Sequence, residues 1–159
     1  MVRARFVLAS ALALLAAASL RIDAQVTADR ILRATDEPRN WLTYGGTYAS
    51  QRHTTLRQIT PANAKNLEQR WVLQNQVFGA WQSNPIVVDG VMYITQRPND
   101  VMAVDAKTGS LYWLYRHTPS ADAKVCCGAN NRGVAILGDL VFMGTLDARL
   151  IAIDRVSGK

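Results

Sequence analysis

Two adjacent cysteines, followed closely by a glycine, two asparagines, an arginine and a second glycine, make Val125–Gly133 (VCCGANNRG) the one concentrated patch of chemistry in the chain. Neighbouring Cα atoms across a trans peptide lie about 3.8 Å apart, closer than a disulfide usually spans. Joining Cys126 to Cys127 therefore strains the intervening peptide and makes a small, hard, polarizable ring. It is no long-range staple, because closing so short a loop removes little unfolded-state entropy. Two free buried thiols are the alternative. A metal pair is a weaker one, since vicinal thiols without a second Cys or His pair leave a tetrahedral site unclosed.

No other constellation competes with this loop. His53 and His117 stand alone, and each reads as solvated or hydrogen-bonded within a turn. Asp89, Asp105, Asp139 and Asp154 recur in step with an internal repeat, which turn chemistry explains better than paired acid–base work. The chain has no glycine-rich phosphate loop after a strand and no nucleophile elbow.

The elements that must hold the loop come in two copies. Val88–Tyr93 followed by Ala103–Gly109 reappears as Leu137–Phe142 followed by Ala152–Gly158, so that Asp105, Thr108 and Gly109 fall on Asp154, Ser157 and Gly158 at a spacing of 49. Short β-branched runs at Pro85–Val88 and Val91–Thr95 flank Asp89-Gly90, a two-residue hairpin signal. Val101–Asp105 and Leu111–Arg116 follow, joined by a turn ending in Gly109. Four short strands per unit at a fixed period describe a propeller blade. A sandwich of hairpins has no need to repeat its turns in register. Upstream, Thr27–Thr35 has helical spacing closed by Pro38, Thr60-Pro61 reads as a capped helical turn, and Leu67–Leu73 reads as the first strand of the array.

Met1–Gln25 carries Arg3 and Arg5, the apolar run Phe6–Leu20, and a small-residue site before Gln25. That layout predicts a signal peptide over residues 1–24 and a mature domain over 25–159. An uncleaved anchor and a buried helix are the other readings, but fifteen apolar residues are short for a bilayer. An oxidising compartment follows, periplasmic or secreted, in which adjacent thiols are expected to be joined. Losing three cations and one anion with the leader lowers the formal charge from +6 to +4. The remaining cations are scattered singly, which excludes a nucleic-acid surface, and no stable membrane span is expected after cleavage. About 135 residues at this period make fewer than three blades, while a propeller needs at least four. The chain is therefore read as the N-terminal part of a longer protein, cut within a blade.

These motifs together resemble the N-terminal part of the quinoprotein alcohol dehydrogenases, the pyrroloquinoline quinone (PQQ) enzymes that include methanol dehydrogenase-like proteins. The resemblance is carried by Trp41 with Tyr44-Gly45-Gly46, Arg52, Leu56, Gln58-Ile59, Asn63, Leu67, Trp71, Pro85–Tyr93, Asp105 with Thr108-Gly109 and Trp113, and Cys126-Cys127-Gly128 with Asn131-Arg132-Gly133. It spans nearly all of the mature chain, and the paired cysteines with Asn-Arg-Gly are its most specific part. It implies an all-β fold, the first blades of an eight-bladed propeller, with the quinone near the axis. Trp113 and Trp71 match residues whose indoles dock onto a neighbouring turn.

The resemblance further implies that a Cys126–Cys127 disulfide lies against one face of the quinone and that Arg132 meets the cofactor's carboxylates. A guanidinium suits that task because it binds bidentately, although a surface or turn-stabilising Arg is the plainer reading. Gln82 stands where the family commonly has a Glu facing the cofactor. An amide keeps a donor and an acceptor there but carries no charge. PQQ and Ca²⁺ are the implied cofactors, an alcohol the implied substrate, and a cytochrome or quinone the implied electron acceptor. The catalytic Asp and the calcium ligands are expected beyond Lys159, so this segment alone is expected to be inactive. The rival reading is a non-catalytic exported propeller that binds protein partners, which Gln82 favours and the cysteine ring opposes.

Overall fold

A computed structural model describes residues 25–75 and 77–159; the expected signal peptide lies outside them. Strands β1 (Ile86–Val88), β2 (Val91–Gln96), β3 (Asp100–Asp105) and β4 (Leu111–Tyr115) form an antiparallel meander in chain order. Strands β5 (Ala135–Leu137), β6 (Leu140–Gly144) and β7 (Leu150–Asp154) form a second sheet that repeats the first three strands of the first. The repeat holds at the level of register: Val91 faces Asp105, and Leu140 faces Asp154. Asp89 and Gly90 both take positive φ, 50° and 84°, as a two-residue turn matching the strand twist requires.

The core lies between the two sheets. Ile86, Val88, Tyr93, Val101 and Ala103 of the first meet Ile136, Val141, Met143 and Ile153 of the second. Period-two alternation supplies these faces, with β1 and β6 burying every other residue. Strand β3 is buried along both faces, so its run of Val101, Met102, Ala103 and Val104 is apolar without interruption.

Equivalent turns are clamped by tryptophans in the same way. The Trp71 Nε1–H donates to the Ala106 carbonyl (3.2 Å), and the Trp113 Nε1–H donates to the Arg155 carbonyl (3.0 Å). Each indole lies flat over a glycine in the left-handed conformation. A Cβ at Gly109 would come within 2.6 Å of Trp71, and one at Gly158 within 2.7 Å of Trp113. Asp105 and Asp154 preform these turns, each accepting from N–H groups two and three residues ahead.

An N-terminal arm ties the sheets together. Helix α1 (Ala28–Leu32) is capped by the Thr27 hydroxyl and passes into a 3₁₀ turn at Ala34–Asp36. Val26 pairs with Gly138 and Trp41 with Val87. Arg30 joins Glu37 and Asp89, and this cluster holds both carboxyls below the ordinary range while raising the guanidinium. Two expectations are corrected. Residues 67–73 run without strand structure, because no strand of the described residues lies alongside to complete a ladder. At the Thr60 turn the side chain engaged is Asn63, whose Oδ1 accepts from the Thr60 N–H and whose amide donates to Gln58.

Candidate functional site

Strand direction decides which loops share an end of the blades. Strands β1, β3, β5 and β7 run one way and β2, β4 and β6 the other. The Asp89-Gly90 hairpin, the clamped turns and the N-terminal arm therefore occupy one end. At the opposite end lie the entrances to β1 and β5, the β2–β3 turn at residues 97–99, the β6–β7 turn at residues 145–149, and the loop at residues 116–134 that carries the cysteines.

That loop is fixed by side chains from both sheets. His117 Nε2 lies 3.0 and 3.1 Å from the two carboxylate oxygens of Asp147, which also accepts from the Ser120 N–H (3.3 Å). The Thr145 hydroxyl foremost, then His117 and the Ser120 N–H, hold the Asp147 carboxyl well below the usual carboxylate range, against the opposing effect of burial. Arg97 Nε donates to the Ala129 carbonyl (3.1 Å). Asn131, only 7% exposed, donates to the Gly144 carbonyl (2.8 Å) and accepts from the Gly133 N–H (3.1 Å). Fully buried Asn99 accepts from Leu146 N–H (3.1 Å) and lies 3.4 Å from the Asn131 amide nitrogen. The Asn99 Oδ1 is thus shared between the two sheets, while its buried amide nitrogen has no partner among the described residues.

On this frame the sulfurs of Cys126 and Cys127 are bonded to each other, with their Cα atoms 3.8 Å apart. Both residues are exposed, and Gly128 turns the chain away at φ 85°. The ring faces an open cleft of about 370 Å³, lined also by Asn130, Arg132, Thr145 and Leu146, with no carboxylate among the lining side chains. Arg132 donates through Nε to the Gln82 Oε1 (3.1 Å), while Asn84 and Gly133 pair in parallel beside them. The structure thus brings together Cys126, Cys127, Arg132 and Gln82, although Gln82 precedes β1 and the others precede β5.

The donor set suits a flat ligand that carries carboxylates. The η nitrogens of Arg132 have no partner among the described residues, and the exposed ring faces the cleft. No group of three or more His, Cys, Asp or Glu side chains among the described residues is arranged to hold a metal ion. Sequence reasoning missed the supporting shell of Arg97, Asn99, Asn130 and the His117–Asp147 pair. His117 gave no signal because its partner lies thirty residues away, in a turn whose position only the second sheet defines.

Stacked, tryptophan-clamped antiparallel sheets with a cleft at one end define a partial β-propeller whose first two blades build a candidate binding wall. Residues 41–159 match the family model described as the PQQ glucose/ethanol/alcohol dehydrogenase β-propeller domain, and the chain belongs to that family. It is 43% identical over 135 residues to the dehydrogenase subunit of a quinone alcohol dehydrogenase from Gluconacetobacter polyoxogenes, covering 84% of this chain and 18% of that protein. It is 43% identical over 121 residues to a 1-butanol dehydrogenase (cytochrome c) from Thauera butanivorans, covering 75% and 18% respectively. Among solved structures, the quinohemoprotein alcohol dehydrogenase ADHIIG from Pseudomonas putida HK5 superposes with a TM-score of 0.80 at 42% identity, over 87% of this chain and 20% of that one. The chain spans about a fifth of the length of the relatives it matches.

Proposed function

We propose that the full protein is an exported, PQQ-dependent dehydrogenase oxidising alcohols or related hydroxyl compounds, and that this segment forms one wall of its cofactor chamber. The observation that carries the reading is the convergence of the Cys126–Cys127 ring with Arg132 and Gln82 at one end of two adjacent blades. When bound, PQQ supplies a two-electron acceptor for the alcohol. The chain's own part is placement. The ring offers a rigid plate for a planar face, the Arg132 η nitrogens take a carboxylate, and the Asn99–Asn131 contact ties the loop to the turns of both sheets. No proton-transfer role falls to a described residue of the cleft, whose lining side chains include no carboxylate. The base and the Ca²⁺ ligands are assigned to blades outside this segment. The 1-butanol relative, named for cytochrome c, supports a cytochrome as electron acceptor, with a quinone as the other choice. Export, to the periplasm or beyond, is supported by the layout of residues 1–24 and by the joined cysteines.

A non-catalytic propeller that binds protein partners is the second reading, favoured by the uncharged amide at Gln82. Reconstituting the full-length protein with PQQ and Ca²⁺ and following dye-linked alcohol oxidation separates the two. Turnover with stoichiometric quinone supports the dehydrogenase; absence of both establishes the scaffold.

A further inference from the structure

Two largely exposed segments at the cleft end are held by one side chain. Residues 77–81 lead to Gln82, residues 121–130 carry the cysteine ring, and neither contains a strand. Among the described residues, a single hydrogen bond ties each of them to a distant part of the chain, and Arg97 makes both. Its Nε–H donates to the Ala129 carbonyl (3.1 Å) and its Nη1–H to the Phe78 carbonyl (3.2 Å). The other bonds of the two segments are local, as from the Ala123 N–H to Ser120 and from the Asn130 N–H to Gly128. A guanidinium presents its donors in one rigid plane, so the two carbonyls are fixed relative to each other as well as to the β2–β3 turn. Gly79 makes room for it, since an added Cβ would collide with the Arg97 Nη1. Arg97 itself does not line the cleft.

We propose that Arg97 is a positioning residue, a strut behind the cleft that sets the distance between the cysteine ring and the segment leading to Gln82. The proposal rests on the cofactor reading above and adds the coupling between the two walls. With the guanidinium gone, the ring and the Gln82 segment move independently, and the cleft between them loses its fixed width. A lysine at position 97 keeps the charge but is a point donor on a flexible stem, which cannot hold two carbonyls in one plane.

The test compares the full-length wild type with Arg97→Met, Arg97→Lys and Gly79→Ala in two measurements. One is limited proteolysis of the apo-protein, by trypsin at Lys124 and by chymotrypsin at Phe78, whose rates follow local opening. The other is the rate of PQQ dissociation. Arg97→Met is expected to raise cleavage at both sites and PQQ dissociation by about tenfold each, and Arg97→Lys to resemble it. Gly79→Ala pushes the guanidinium away from within residues 77–81, so it is expected to speed cleavage at Lys124, in the other segment. In the Arg97→Met background the same substitution should leave Lys124 cleavage unchanged. If Gly79→Ala speeds cleavage at Phe78 alone, if Arg97→Lys behaves as the wild type, or if Arg97→Met releases PQQ at the wild-type rate, the strut is overturned and the cofactor reading stands. If the wild type binds no PQQ, the cofactor reading falls and the positioning role with it. Because both segments lie outside the sheets, nearly unchanged melting is expected for each variant.

Discussion

Replacing Gly109 by Ala tests whether blade docking rests on close approach or merely on turn conformation. Gly109 has φ 74°, and an added Cβ lies 2.6 Å from Cε3 and 2.7 Å from Cδ2 of Trp71, distances real Cβ atoms do not tolerate. Gly90 is the matched control, with φ 84° and nothing within 4 Å of its added Cβ. Both substitutions incur the left-handed penalty, about 1–2 kcal/mol. Only Gly109→Ala also displaces an indole. That costs its hydrogen bond to Ala106, about 1 kcal/mol net, and part of its buried area, about another 1–2 kcal/mol.

Gly109→Ala is thus expected to destabilise by about 3–5 kcal/mol and Gly90→Ala by about 1–2 kcal/mol. Denaturant unfolding of the full-length protein measures the difference. Hydrogen exchange localises it, with the excess opening expected at residues 67–75, which Trp71 anchors without help from a strand ladder. Equal losses for the two variants refute the close-approach argument.

Three further outcomes follow from the same geometry. The Asp105 carboxyl is held below its usual range by Tyr112 first and then by the Thr108 and Lys107 N–H groups, and Asp154 by the N–H and then the hydroxyl of Ser157. A depressed folded value gives stability that is present above the unfolded value of about 3.9 and lost as pH falls through the folded one. Asp154→Asn, which keeps the acceptor, should flatten the acid limb of stability below the unfolded carboxyl value of about 3.9; a slope identical to wild type counts against this. Asp147→Ala removes the acceptor of His117 and Ser120, so amide exchange should accelerate across residues 118–134 and stay unchanged in β2 and β3, as mass spectrometry can resolve. Replacing both Cys126 and Cys127 by Ala removes the plate without touching the core, and PQQ retention should fall by about tenfold with the melting temperature nearly unchanged.

Hairpins were legible because two local signals agree there. The apolar runs Ile86–Val88 and Val91–Gln96 are broken by a dipeptide that takes positive φ, and the second copy places a hairpin at the same point with Gly138 alone at positive φ. Residues 67–73 misled for a related reason. Their composition suits a strand, but strand structure needs a partner edge, and composition says nothing about where one lies. The cysteine ring and Arg132 stood out by residue type. Their supports did not, because Asn99, Arg97 and Asp147 are ordinary turn residues until the blades are stacked.

The supports also explain why the wall must be shared between blades. Gln82 is carried by the lead-in to β1, and Arg132 by the lead-in to β5, so their 3.1 Å contact measures the angle between two sheets. At the far end that angle is set by Trp113 lying over Gly158 and by the Tyr93 hydroxyl, which donates to the Arg155 carbonyl (3.4 Å). At the near end it is set by Asn99 reaching across to Leu146 and Asn131. A hydrogen bond tolerates only a few tenths of an ångström of drift, while two sheets joined only by apolar contact slide more freely. Pinning the sheets at both ends by directional contacts lets residues fifty positions apart keep a fixed geometry beside the ring.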